Sequence, residues 1–174
     1  VPQKGGEGGP TLPLDGIRVI EFGQFTTAPL CARHLATLGA EVIKVEPVTG
    51  DVARDWDPRR DGLGYYFMFS NADKFALSVN MRDEEGWGIV RDLIASADVI
   101  VQNMKPGSLD RLGFGWKDVQ TFNPGMICVG ISGFGDDSAY EGRPAVDTIV
   151  IQPGSWVPGG RGGGLTTSST CSGT

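Results

Sequence analysis

One stretch, residues 19–47 with the sequence VIEFGQFTTAPLCARHLATLGAEVIKVEP, does most to limit the fold. Val19, Ile20 and Phe22 belong with Ile17 to a dense apolar run, the pattern of a strand covered on both faces as in a parallel sheet. Pro29 suits the first turn of a helix. In that helix Leu30, Cys31, His34, Leu35 and Leu38 recur at helical spacing on one side, Arg33 points elsewhere, and Gly39 supplies the stop. Residues 41–45 alternate into a second strand, so the stretch is a strand–helix–strand crossover of the usual right hand, closed by an acid, Glu46. This is the order of a dinucleotide-binding unit, yet the G-x-G-x-x-G fingerprint is missing from the loop after Phe22, which disfavours a nicotinamide-type oxidoreductase.

The pattern repeats downstream. Residues 51–64, DVARDWDPRRDGLG, are charged and turn-rich and read as a surface excursion. Residues 76–81 form a short strand, and Asp83 opens a second helix with Glu84 and Glu85 in the first turn, where the helix dipole favours acids. Trp87, Val90, Ile94 and Ala97 mark its buried stripe. Residues 99–102 and 126–132 give two further strands, separated by turns at Pro106-Gly107 and Pro124-Gly125 around two short helical pieces. Strands and helices alternating in this way predict an α/β, doubly wound, mainly parallel sheet. The sequence divides into a Gly/Pro-rich leader (1–13), this α/β part (14–152), and a tail or linker rich in Gly, Ser and Thr (153–174).

Composition then excludes function classes. The 174 residues suit one domain, and a net charge of −6 argues against nucleic acid as a partner while leaving room for a local basic pocket. Cys31, Cys128 and Cys171 are too few and too scattered for a disulfide framework or a zinc site. No apolar run approaches the about 20 residues that cross a bilayer, and the first residues lack the apolar core of a signal peptide, so the expectation is a cytoplasmic protein without membrane contact. His34, the only histidine, has no nucleophile motif beside it and reads as structural. The acids of GFGDD (133–137) read as solvated loop, and no metal is expected.

Six segments in collinear order, LDGIRVIEF, LGAEVIKVEP, YYFMFSNADKFALSVNMR, ADVIVQNMKPGSLDRLGFGW, NPGMICVGISGFG and GRPAVD, resemble the class III CoA-transferases, the family of formyl-CoA transferase, carnitine CoA-transferase and alpha-methylacyl-CoA racemase. The resemblance runs from about Leu14 to Gln152 and implies a Rossmann-like large domain that binds coenzyme A as a substrate, with no permanently bound cofactor. It accounts for the missing glycines, since the ligand differs. It implies CoA contacts at Thr26 and Thr27, at Val79, Asn80, Met81 and Arg82, at Asn103, Met104 and Lys105, and at Arg111. Cations suit the phosphates of such a ligand. On residue type alone, Arg82, Lys105 and Arg111 read as solvated surface charges and Asn103 as a cap of the turn before Pro106.

The resemblance also implies what the chain does: CoA moves between an acyl-CoA and a carboxylic acid through an aspartate nucleophile. That aspartate is expected in a Gly-Asp motif beyond Thr174, because residues 153–174 hold no Asp or Glu. The chain is thus expected to carry the CoA-binding portion of a family fold that is incomplete without its C-terminal part, and to be weakly stable or to aggregate by itself. Asp147 is the acid implied at the thioester end of CoA, with a local capping role as its rival. Val146 stands where the racemase branch places a histidine base, which favours transferase over racemase; a non-catalytic CoA-binding module stays open. A homodimer is implied for the full-length family member.

Overall fold

The computed structural model describes residues 12–135 together with residues 139 and 140. The leader through Thr11, Asp136 and Asp137 of the GFGDD turn, Val146 and Asp147, and the whole tail lie outside the described residues.

The first strand, β1 (Arg18–Phe22), leads through helix α1 (Thr27–Thr37) into β2 (Glu41–Glu46). An excursion follows, made of a single 3-10 turn (Val52–Asp55), a two-residue hairpin of β3 (Arg59–Arg60) and β4 (Leu63–Gly64), and helix α2 (Tyr65–Ser70). The chain then forms β5 (Phe75–Ser78), α3 (Glu84–Ala95), β6 (Val99–Gln102), the short helices α4 (Ser108–Arg111) and α5 (Trp116–Val119), and β7 (Ile127–Gly130). Five strands make one parallel sheet in the order β5-β2-β1-β6-β7. This is the expected Rossmann-like α/β architecture. The chain runs outward from β1 to β2 and β5, then returns to the other side of β1 for β6 and β7, so the direction of winding reverses between β1 and β6.

Helices cover both faces. Ile20, Phe22, Val45 and Ile100 pack with Val90 and Ile94 of α3 and with Leu109, Phe114 and Val119 from the α4–α5 segment. Phe114 stacks between Phe22 and Trp87, with ring centroids 6.5 and 5.4 Å away. On the opposite face Val19, Val42 and Val101 pack with Ala28 and Ala32 of α1. The residues most deeply buried on α1 are therefore Ala28, Pro29 and Ala32, with Cys31 and Leu35 partly buried beside them, whereas His34 and Leu38 are exposed. This corrects the stripe expected from spacing. Small side chains let α1 lie close to the sheet, and the larger ones are left toward its margin.

The excursion corrects a second expectation. It is stitched to the sheet through Asp51 and Ala53, both buried, and through Arg54, which grips Glu46 at the end of β2. Helix α2 is an element that the apolar spacing did not announce. Trp87 is only partly buried, and its indole N–H donates to the Leu112 carbonyl at 2.8 Å. Among the described residues no helix is long and apolar enough to cross a membrane.

Candidate functional site

The loop of residues 23–26 leaves the carboxyl end of β1 and opens α1. Phe25 adopts φ +68, a left-handed conformation that costs a bulky residue on the order of 1–3 kcal/mol. Bonds from three directions hold it there. The Lys44 ammonium donates to the Gly23 carbonyl at 2.6 Å, and the Phe25 N–H donates to both Asp51 carboxylate oxygens at 3.1 and 3.3 Å. Asn103, just past β6, accepts from the Gln24 N–H at 2.9 Å through Oδ1, and its Nδ2 donates to the Gln24 carbonyl at 2.8 Å and to Thr27 Oγ1 at 3.0 Å. The Phe25 ring lies against Trp56 and Tyr66, with centroids 4.2 and 5.8 Å away, and the Tyr66 hydroxyl donates to Thr26 Oγ1 at 2.9 Å. Gly23 is required by packing, since a Cβ there would stand 2.7 Å from that of Ala28 and 2.8 Å from Glu21 Oε1.

Beneath the loop lies a charged cluster. Glu21 and Lys44 face each other in the β1–β2 register. Glu21 Oε1 accepts from Lys44 at 2.8 Å and its Oε2 from Lys74 at 2.6 Å, while Lys44 also meets Asp51 Oδ2 at 3.0 Å. These four side chains are at most 2% exposed. Lys74 adds bonds to the Pro29 carbonyl and the Asn71 side chain, at 2.7 and 2.9 Å. Burial pulls the Lys74 pKa below the ordinary lysine value, against the opposing pull of Glu21. At the cluster's edge Arg54 binds Glu46 with both forks, at 2.8 and 2.7 Å, and the Asp51 N–H donates to Glu46 Oε2 at 3.0 Å. Burial alone would raise the Glu46 carboxyl, but these bonds outweigh it and hold it below the ordinary value. Two acids balance two lysines, and Glu46 balances Arg54, so the buried charge sums to zero.

The other residues singled out in the sequence follow strands of the same sheet. Val79 extends the β5 pairing through its N–H to the Glu46 carbonyl at 3.0 Å, and its side chain enters the core together with the partly buried Met81 and Met104. Asn80 accepts the Arg82 N–H at 3.2 Å, closing a turn into α3. Gly86 lets α3 press on this turn, where any side chain would collide with the Asn80 carbonyl. Asn103 does not cap the turn before Pro106; its amide joins the loops after β1 and β6. Arg111 donates to Ser108 Oγ at 3.0 Å. Arg82, Lys105 and Arg111 are exposed and, among the described residues, form no ion pair, unlike Arg18, Arg54 and Lys74. Thr27 and Asn103 thus meet across the β1–β6 boundary, while the Thr26 hydroxyl is held by Tyr66. Residues 79–82 stand beyond β2, and Lys105 and Arg111 on the β6 side.

The family model described as CoA-transferase family III matches residues 14–164. The chain belongs to that family. The family III chain is 37% identical over 142 residues to the succinyl-CoA--D-citramalate CoA-transferase of Chloroflexus aurantiacus, covering 80% of its own length and 35% of the relative's. It is 42% identical over 129 residues to the formyl-CoA:oxalate CoA-transferase of Rhodopseudomonas palustris, covering 72% of itself and 30% of that enzyme. It therefore spans about a third of the length of these curated relatives. Among solved structures, a CAIB/BAIF family protein from Brucella suis superposes with a TM-score of 0.77 at 36% identity, over 82% of this chain and 39% of that one.

Sequence reasoning missed the buried cluster and the clamp it makes on the family III loop. A signal was present: an acid in β1 and a lysine in β2, each in a strand expected to be covered on both faces, are tolerable there only as partners. Neither described cysteine is a poised nucleophile. Burial raises the Cys31 thiol, with Glu21 adding to the effect, and pushes Cys128 up to about 11.

Proposed function

We propose that this chain is the CoA-gripping part of a class III CoA-transferase. In the complete reaction a carboxylate attacks the thioester carbonyl and expels the CoA thiolate, leaving a mixed anhydride. The thiolate then attacks the enzyme's acyl carbon and releases the first acid, so that CoA is held on the enzyme as a thioester until a second carboxylate takes it through the same two steps in reverse. No described residue is assigned as that nucleophile, and Asp147 is the acid we put nearest the thioester. Thr26 and Thr27 face the reactive arm, and Arg82, Lys105 and Arg111 bind the phosphates.

The observation that carries this reading is the row of loops at the carboxyl ends of β5, β1 and β6, on both sides of the winding reversal, where open α/β sheets take their ligands. β5 and β6 stand three strand spacings apart, about 14 Å, so a molecule that touches residues 79–82 and 103–105 together must be long. It must also carry negative charge to use the cations. Val146, in place of a histidine, supports transfer over racemisation. Titration calorimetry with coenzyme A checks the grip: saturable binding is expected, weakened at least ~10-fold by combining Arg82→Gln, Lys105→Gln and Arg111→Gln. Absence of binding, or affinity untouched by the triple change, would overturn the reading. Trapping with acyl-CoA and hydroxylamine, read by peptide mass, then tests Asp147: modification at that residue would make it the nucleophile itself and not an acid standing beside the thioester.

A further inference from the structure

We infer that Lys44 and Asp51 are positioning residues, a buried ion pair that sets the loop of residues 23–26 in the shape needed to present Thr26 and Thr27 to the ligand. The inference deepens the CoA-transferase reading and rests on it, but its evidence is separate. Lys44 reaches the loop's first carbonyl, at Gly23, and Asp51 takes the N–H of Phe25 at the left-handed turn. The two meet at 3.0 Å, and both side chains are essentially without solvent contact. Asp51 also accepts the Ala53 N–H at 2.9 Å, which fixes the carboxylate against the 3-10 turn and brings Trp56 and Tyr66 onto the Phe25 ring.

The chemistry of the contacts argues for positioning and not for packing alone. A buried ion pair is seldom worth more than the apolar residues that would fill the same space, so its retention asks for another reason. Here each partner makes a bond that an apolar replacement cannot, to a specific backbone atom of one loop. Those bonds oppose the tendency of Phe25 to leave its left-handed conformation. A loop that already has its bound shape saves ordering entropy when the ligand arrives, which appears as affinity.

The test joins three measurements on the whole chain. The first needs no substitution: amide exchange followed by NMR should find the Phe25 and Gln24 N–H groups protected as strongly as that of Ile20 in β1. Exchange at the rate of an unstructured loop would overturn the inference. Second, the charge-neutral double variant Lys44→Met/Asp51→Asn should keep the far-ultraviolet circular dichroism of the wild type while its Phe25 amide exchanges at least ~10-fold faster and its Kd for coenzyme A rises at least ~10-fold. Third, Ile94→Ala removes core volume on the far face and serves as the comparison, expected to lower stability and leave the Kd within about twofold. If Ile94→Ala weakens CoA binding as much as the double variant does, or if the double variant binds like the wild type, the role is packing and the inference fails. Should the double variant not fold, the wild-type amide exchange decides alone: Phe25 N–H protection matching that of Ile20 upholds the inference, and exchange at the rate of an unstructured loop overturns it. If the wild type binds no CoA, the functional reading falls, while the amide exchange still decides whether the loop is clamped.

Discussion

On the α3 side of the sheet, Ile20, Phe22, Val45 and Ile100 meet a layer of apolar side chains that continues to the ends of the strands. On the α1 side, Val19 and Val42 begin in the same manner, but one pleat later the inward positions belong to Glu21 and Lys44. The two faces share a backbone and are packed by different forces. One gains by removing hydrocarbon from water and is forgiving of shape. The other holds ions that are costly when unpaired and useful when each is directed at a particular atom. The charged half lies under the candidate site, which suggests that the protein accepts that cost only where a loop must be fixed.

Substitutions can break or sharpen this contrast. Glu21→Gln should have the largest effect, because Lys74 would lose its carboxylate partner and Lys44 would be left with Asp51 alone. The expected loss is about 3–5 kcal/mol, read from the urea midpoint at constant slope. A loss below about 1 kcal/mol would mean that water reaches these ions and that the faces are not distinct. Ile94→Ala, on the other face, should cost about 3 kcal/mol through transfer and cavity terms, with no dependence on pH between 5 and 8, roughly the range where neither carboxylates nor lysines titrate. A strong pH dependence would show that the apolar face is electrostatically coupled to the charged one.

Arg54→Met should cost least at neutral pH, about 1 kcal/mol, since the guanidinium is partly in solvent. Its signature is the acid limb. The folded Glu46 carboxyl lies below its ordinary 4.5, so the pair contributes stability that is present above that pH and is lost as pH falls through the lowered native value. Without Arg54, burial is less opposed and the Glu46 pKa rises. Acid unfolding followed by circular dichroism should therefore begin at a higher pH in the variant. Superimposable acid limbs would show that Glu46 is not held by Arg54 in solution.

The same contrast explains what could be read in the sequence. Val90, Ile94 and Ala97 are legible because the spacing that identifies a helix face is the spacing that burial acts on. Ala28 and Ala32 carry little hydrophobic signal, so their closeness to the sheet is hidden while the larger Leu38 looks buried. Glu21, Lys44 and Asp51 each resemble a surface residue when taken singly. Only the pairing of Glu21 with Lys44 across two strands, and the fold of the excursion back onto Glu46, turns them into a cluster. Strand register and the return path of a loop are long-range facts that local pattern does not encode. Thr26, Arg82 and Lys105 were legible as residues beyond strand ends. Their mutual placement, with β5 on one side of β1 and β6 on the other, comes from the strand order.

The loop after β1 has one more consequence. Its carbonyls and amides are answered by side chains from β2, from the excursion and from the start of the segment after β6. No single part of the chain owns its shape. Across descendants of this gene, a change at any one of these three anchors would be offset only by changes at the others, so the anchors should drift as a linked set even where the surrounding surface diverges freely.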